Sequence, residues 1–414
     1  MATRLSRAFG PKTIVTVTAI ALGVGALTAY AMTKIAAVVV TPPRRPREDQ
    51  VIVSVADDLS TITLATSPDA KVPGNYSFWF SLDAGHLRLG EIVSEDDTTV
   101  TRRIDRVSFG ELRGAKHGRI SGWYYLGPEE LGFPVESVAI ATDRGEAPAW
   151  IIRAPRGTKR WAIHVHGRGT QRQETLRAVP TFREHGYTSL LVSYRNDGDA
   201  PDSEDGRYGL GSTEWRDVDA ALRFALEKGA SEVVLVGWSM GGAIVLQTVT
   251  RSSRASAVKG IMLESPVVDW VPTLEYQGEM LRVPGVVTRG AMRVLDASWG
   301  GRFTGQSAPV GLASLDFVAR ADELTRPMLV LHSDDDGFVP PTASRELAER
   351  RPDIVTFVPF TVARHTKLWN YDADTWTAAI ADWLETSLGS KKRGVKKSKP
   401  DSDAGTDAPQ QPSD

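Results

Sequence analysis

Val233-Val234-Leu235-Val236-Gly237-Trp238-Ser239-Met240-Gly241-Gly242 sets a run of aliphatic residues directly against a Gly-x-Ser-x-Gly pentad. The run is too short for a helix and reads as a buried strand, while Met240 to about Arg251 continues with helical spacing. A serine on so abrupt a strand-to-helix turn presents its hydroxyl at the end of a sheet, and the flanking Gly237 and Gly241 let neighbouring backbone approach. The helix that follows aims its free amides at developing negative charge. In a chain with 37 glycines the pentad arises by chance on the order of one time in a few, so its place between strand and helix carries the signal.

Outward from this turn, apolar strand-like runs alternate with helical patterns. WAIHVHG is followed by a helix toward His185, YTSLLVSY by Glu214 to Lys228, and the serine turn by VKGIMLESP. Then come PMLVLHS, a helix from Thr342 to Arg350, the strand IVTFVPF and a last helix from Asp374 to Leu388. VESVAIATDRGEAPAWIIRA reads as two strands about the turn Asp143-Arg144-Gly145. Continuous apolar strands alternating with helices predict an α/β fold with a doubly wound, mostly parallel sheet. Between Pro266 and Leu324 the rhythm fails, and this stretch, rich in Gly, Pro, Trp and Met, is the expected place for an inserted lid.

The candidate chemistry gathers at strand ends. A serine hydroxyl is a poor nucleophile until a base takes its proton, and that base needs a group that fixes its tautomer and stabilises the imidazolium. His365, in the loop after the strand ending at Phe360, is the candidate base. Asp334, Asp335 and Asp336 all follow the strand ending at Leu331, and position after the strand does not separate them as the partner of that base. Acyl transfer also needs two fixed N–H donors for an oxyanion. The backbone amides of Met240, after the serine, and Arg168, in His164-Val165-His166-Gly167-Arg168-Gly169, stand at matching positions. His166 reads as a structural support of that loop. The Arg168 side chain reads either as a binder of substrate carboxylate or phosphate or as a solvated arginine.

Ser239, Asp336, His365 in that chain order, with the HGRG loop, Tyr194-Arg195, GWSMGG and the Asp336-x-x-Val339-Pro340 turn, resembles the α/β-hydrolase superfamily over about Val135 to Leu388. The likeness is nearest to its serine esterase, lipase and prolyl-oligopeptidase-like branch, and the family-like spacing, with the acid three residues before Val339, implies Asp336 as the acid behind His365. It implies a serine hydrolase cleaving carboxylic esters, with amides or thioesters as further substrates, through an acyl-enzyme on Ser239. An acyltransferase using the same acyl-enzyme and a catalytically silent membrane-associated binding module are the alternatives. The expected partner is a small-molecule or lipid-like acyl substrate, and Trp238, Trp270, Trp299 and Trp369 suggest an apolar acyl pocket. Tyr194-Arg195-Asn196-Asp197 replaces the more usual Asp-Tyr-Arg-Gly of relatives, and Ser333 stands where many have Gly.

Composition narrows the rest. Lys+Arg 49 against Asp+Glu 51 leaves a formal charge of -2, with no basic excess for nucleic acid. Cys is 0, which removes thiol catalysis, disulfides and cysteine metal sites. No HExxH is present and no acidic cluster completes the HVH pair, so neither metal nor cofactor is expected.

Residues 1–13 form a basic N-terminus, and 14–40 an expected transmembrane anchor or signal segment. The uncharged run Ile14 to Met32 spans about 28 Å as a helix, against about 30 Å of hydrocarbon. Its length favours a retained single-pass anchor over a signal cut after Ala31, with the catalytic domain on the extracytoplasmic side. Residues 41–49 read as a linker, 50–134 as a small β-rich region, 135–390 as the hydrolase domain with its lid at about 266–324, and 391–414 as a disordered basic and polar tail. In the β-rich region VIVSV, TITLAT, YSFWF, TVTRRI and ISGWYY read as strands.

Overall fold

The computed structural model describes residues 11–44 and 47–390, with side chains from residue 25 onward. The basic N-terminus as far as residue 10 and the tail 391–414 lie outside the described residues.

The chain opens with helix α1 (Pro11–Val40). It then enters six strands: β1 (Gln50–Val55), β2 (Thr61–Ala65), β3 (Tyr76–Phe80), β4 (Gly85–Glu95), β5 (Thr99–Phe109) and β6 (His117–Ser121). These close into an antiparallel barrel in the order β1-β2-β5-β4-β3-β6. Leu64, Phe78, Phe80, Leu87, Leu89 and Val100 are fully buried in one cluster there, so its interior is a packed core. Arg102 is fully buried there, and its guanidinium donates to the carbonyls of Gly90, Ala70, Val72 and Gly74, the partners without which a buried cation would be prohibitive.

The sequence pattern missed β4, whose register with β5 shifts at several points. It also extended the last strand too far. Pairing stops at Ser121, and the following aromatics leave the barrel. Tyr124 and Tyr125 pack on Trp369 at ring separations of 5.4 and 5.8 Å.

The remaining strands make one eight-stranded sheet. They are β7 (Val135–Thr142), β8 (Gly145–Ile152), β9 (Arg160–Val165), β10 (Thr188–Val192), β11 (Glu232–Trp238), β12 (Val258–Glu264), β13 (Met328–Ser333) and β14 (Val355–Phe360). Their spatial order is β14-β13-β12-β11-β9-β10-β8-β7, with β7 and β8 antiparallel and all pairs from β10 to β14 parallel. In β11, Val233 and Leu235 enter one core cluster while Val234 and Val236 enter another. Strict period-two alternation thus buries both faces, which is why the strand is apolar throughout.

The covering helices are α2 (Val179–Glu184), α3 (Trp215–Glu227), α4 (Met240–Arg251), α5 (Trp270–Met280), α6 (Gly285–Asp296), α7 (Gly301–Thr304), α8 (Thr342–Arg350), α9 (Leu368–Tyr371) and α10 (Ala373–Thr386). The irregular stretch 266–324 therefore holds three helices, α5 to α7, between β12 and β13.

The expected anchor is corrected. Among the described residues no helix is long and apolar enough to cross a membrane, and the single-pass location and membrane partner drawn from residues 14–40 fall with it. The side chains of 14–24 lie outside the described residues. The later part of α1 packs against the region of the eight-stranded sheet: Ala36 and Val40 are fully buried in its main core, and α1 packs on α6 and α7. Met32 reaches Gly290 so closely that a Cβ there would collide with its sulfur. Apolar length at a chain end reads alike for a bilayer and for a protein groove; here the described part fills the groove.

Candidate active site

Ser239 sits between the last residue of β11 and the first of α4, at φ 52 and ψ -118. This left-handed conformation is strained for a non-glycine residue and is held from several sides. The Ser239 N–H donates to the Glu264 carbonyl at 3.1 Å, and its own carbonyl accepts from Gly242 N–H at 2.9 Å and Val267 N–H at 3.0 Å. The two expected glycines are required by close approach. A Cβ on Gly237 would lie 2.7 Å from the Gly241 carbonyl oxygen, and one on Gly241 would run into the carbonyls of Val165 and His166.

The structure brings the other two expected residues to this serine. His365 Nε2 is 2.9 Å from Ser239 Oγ, and His365 Nδ1 is 2.7 Å from Asp336 Oδ2. The other carboxylate oxygen of Asp336 accepts from the amides of Phe338 and Val339, both at 2.9 Å. Its neighbours turn elsewhere: Asp335 pairs with Arg364 and Asp334 with Arg345. Burial on its own would raise the Asp336 carboxyl. The charge of His365 and hydrogen bonds from His332 and His365 outweigh it and hold the group well below the usual carboxylate range.

His332 had drawn no reading from the sequence. Its Nε2 lies 3.0 Å from the Val339 carbonyl and so carries the proton, 3.4 Å from Asp336, while Nδ1 accepts from Ser344 Oγ at 2.8 Å.

The loop 166–170 lies against the serine turn, with Gly167 so close that a Cβ on it would be 3.3 Å from the Ser239 Cβ. The Gly167 N–H donates to Glu174 Oε2 at 2.8 Å and the Gly169 N–H to Asp197 Oδ2 at 3.2 Å, whereas the Arg168 N–H between them has no acceptor among the described residues. Met240 opens α4, so its amide is one of the helix's free N-terminal donors. His166 is buried and stacked on Tyr194 at 4.2 Å, and burial pushes its ring down to about 4, leaving it a neutral loop support.

Neither reading of the Arg168 side chain holds. Its guanidinium donates to the carbonyls of Val38, Val39 and Thr41 at 3.1, 3.0 and 3.0 Å and lies over the Tyr208 ring at 5.1 Å. It caps the end of α1, donating to carbonyls of its last turn and to that of Thr41 just beyond, while the Val38 carbonyl also accepts from the Thr41 N–H at 3.4 Å.

The barrel reaches the same site from the other side. Its Asp69 binds Lys367 at 2.6 Å, and the Asn75 N–H donates to the Asn370 carbonyl at 3.0 Å while Asn370 Nδ2 returns a bond to the Asn75 carbonyl at 2.9 Å. Arg177, with a fully buried side chain, donates to the Thr366 carbonyl and to Asn370 Oδ1, both at 2.8 Å. These residues hold the His365 loop, and nothing local in the sequence marks them.

Of the four tryptophans expected near a pocket, three are taken up by packing and one lies at the surface. Trp238 and Trp270 are buried, donating to Glu264 and to the Leu210 carbonyl, Trp369 meets Tyr124 and Tyr125, and Trp299 is 49% exposed beside Phe303.

Residues 162–380 match the family described as "Alpha/beta hydrolase family", and residues 51–121, nearly the whole barrel, match a domain of unknown function, DUF8805. No curated protein matches the chain. Among solved structures, the Pyrococcus furiosus esterase Pf2001 is similar at 16% identity and a TM-score of 0.49, over 64% of this chain and 95% of that one. Est1E from Butyrivibrio proteoclasticus with ferulic acid bound is similar at 16% identity and a TM-score of 0.47, over 61% and 99%. A thermophilic esterase from Thermogutta terrifontis follows at 19% identity and a TM-score of 0.43, over 60% and 98%. At such identities and TM-scores the likeness carries no argument about substrate.

Proposed function

The chain belongs to the alpha/beta hydrolase family, and from that premise we propose that it is a serine hydrolase cleaving carboxylic esters through an acyl-enzyme on Ser239. The observation that carries this reading is the relay from Ser239 Oγ to His365 Nε2 at 2.9 Å and from His365 Nδ1 to Asp336 at 2.7 Å. As Ser239 Oγ attacks the ester carbonyl, His365 takes its proton and the carbonyl π electrons move onto oxygen. The amides of Met240 and Arg168 receive that oxyanion. Collapse expels the alcohol, protonated by His365, and leaves an acyl ester on Ser239. Water, deprotonated by the same ring, repeats the sequence and releases the acid. Asp336 holds the neutral ring in the tautomer whose Nε2 is free and stabilises the imidazolium.

Within the hydrolase domain 135–390, the segment 266–324 serves as a cap. In support, Tyr276 donates to the Asp336 carbonyl at 3.4 Å and Gln277 to that of Phe338 at 3.2 Å, so α5 leans on the loop of the acid. Phe338 in turn lies 5.1 Å from the His365 ring.

A fluorophosphonate probe tests the reading. It should label the wild-type chain and not Ser239→Ala; equal labelling of both, or of neither, would remove Ser239 from the chemistry.

A further inference from the structure

Beside the oxyanion loop lies a cleft of about 680 Å³, within the roughly 300–1,000 Å³ usual for small-molecule sites. Three pieces of the chain wall it: the segment after α1, the barrel and the hydrolase loops. It begins at Gly169, two residues beyond the Gly167 that touches Ser239, hence at most about 7.6 Å along the backbone from it.

The lining is polar. Thr41, Ser121 and Thr170 bring hydroxyls, Gln171 and Asn196 bring amides, and Trp123 brings a half-buried aromatic ring. Much of this wall is fixed before any ligand arrives. Arg119 pairs with Asp83 at 3.0 Å, Asn196 is bonded to Arg207 and Ser203, and Asp205 accepts from Ser203, Ser307 and Arg207. The side chains of Gln171 and Asp202 have no partner among the described residues, so the cleft offers an unspent amide and an unspent carboxylate.

Charge decides which polar ligand fits. Arg44, Arg119 and Arg207 face Asp83, Asp202 and Asp205, and the fourth carboxyl, Asp197, is buried and pushed up to about 7. The cleft is therefore close to neutral. Among the described residues it holds no cationic surplus for a phosphate or polycarboxylate and no anionic surplus for an amine. A hydrocarbon chain is disfavoured as well, because seating it would strip water from these groups at about 1–3 kcal/mol for each left unpaired. A neutral molecule dense in hydroxyls, with one apolar face for Trp123, satisfies the wall.

We infer that this cleft receives the alcohol half of the substrate and that this alcohol is a polyhydroxylated, sugar-like group. The inference rests on the ester-hydrolase reading and narrows it to acyl esters of glycosides. It also gives the barrel a part in the active site, since Asp83, Arg119, Ser121 and Trp123 come from it or its edge.

The test compares two esters of one acid, methyl 6-O-acetyl-glucopyranoside and ethyl acetate, on the full chain and on Gln171→Ala, Asp202→Ala and the double variant. Wild type should prefer the glycoside ester in kcat/KM by at least about tenfold, and the double variant should lower that ratio by about tenfold, as expected for two lost hydrogen bonds. Hydrolysis of ethyl acetate without any preference, or an unchanged ratio in the double variant, overturns the sugar assignment alone. Protection of Ser239 from fluorophosphonate by millimolar inorganic phosphate but not by methyl glucoside overturns it in favour of an anion site. If neither ester is cleaved and Ser239 stays unlabelled, the hydrolase reading has failed, and this inference with it.

Discussion

Lys367 Nζ lies 2.6 Å from Asp69 Oδ1, so the residue two places after His365 is held by a loop of the barrel between β2 and β3. Burial opposes ionisation of Asp69, but the charge of Lys367 and its hydrogen bond outweigh it, and the carboxyl stays below its usual range. Arg364, on the other side of His365, approaches the same carboxylate at 3.9 Å. The histidine loop is thus clamped across two domains that meet only on folding.

If the clamp positions His365, Asp69→Asn and Lys367→Met should each lower kcat about tenfold while KM moves less than about twofold, and the double variant should be no worse than either. Steady-state kinetics on one activated ester is the measurement. Losses that multiply in the double variant would show that the two residues act separately.

Asp336 is the proposed acid among three adjacent candidates, because its carboxylate alone of the three meets His365. Asp336→Asn should cost roughly 10²–10⁴ in kcat/KM, somewhat at or below the serine-protease precedent, because the wrong histidine tautomer is then favoured. Asp334→Asn and Asp335→Asn, whose carboxylates face Arg345 and Arg364, should stay within about tenfold of wild type. A crippled Asp335 variant beside an active Asp336 variant would misplace the acid.

Arg168 ties the end of α1 to the loop 166–170, the proposed oxyanion loop. Arg168→Ala leaves its backbone amide in place but removes the guanidinium from three carbonyls, of which Val38 keeps the Thr41 N–H, so kcat should fall about tenfold and stability by about 1–3 kcal/mol. A chain beginning at Gln50 should show the same kinetic loss, because Val38, Val39 and Thr41 are then gone. Full kcat in that shortened chain would disconnect α1 from the site.

His166 gives a pH signature. Burial pushes its ring down to about 4, while the unfolded chain takes up the proton near 6.5. Between those values the unfolded state binds more protons, so the ring's contribution to stability falls as pH falls, by about 1.4 kcal/mol per unit. Urea unfolding of wild type and His166→Asn at pH 6 and pH 5 should show a slope smaller by about that amount in the variant. Equal slopes would mean the folded ring titrates near its ordinary value.

The sequence by itself determined the succession of β7 to β14 along the chain, the serine turn, and the chain order of Ser239, Asp336 and His365, but not the spatial order of the strands in the sheet. Each depends on short-range rules: apolar runs make strands, 3.6-residue spacing makes helices, and glycine permits close backbone at a turn. Tertiary structure alone decided that six strands close into a barrel, that β4 pairs despite its irregular register, and that Asp69, Asn75, Arg102, Arg177 and Lys367 matter. Their partners lie far away in sequence, and a charged residue looks solvated until its partner is known. The same limit governed α1, whose apolar residues state only that they must leave water. Whether Ala36 and Val40 leave it for lipid or for a groove beside α6 is a property of the folded surface that receives them.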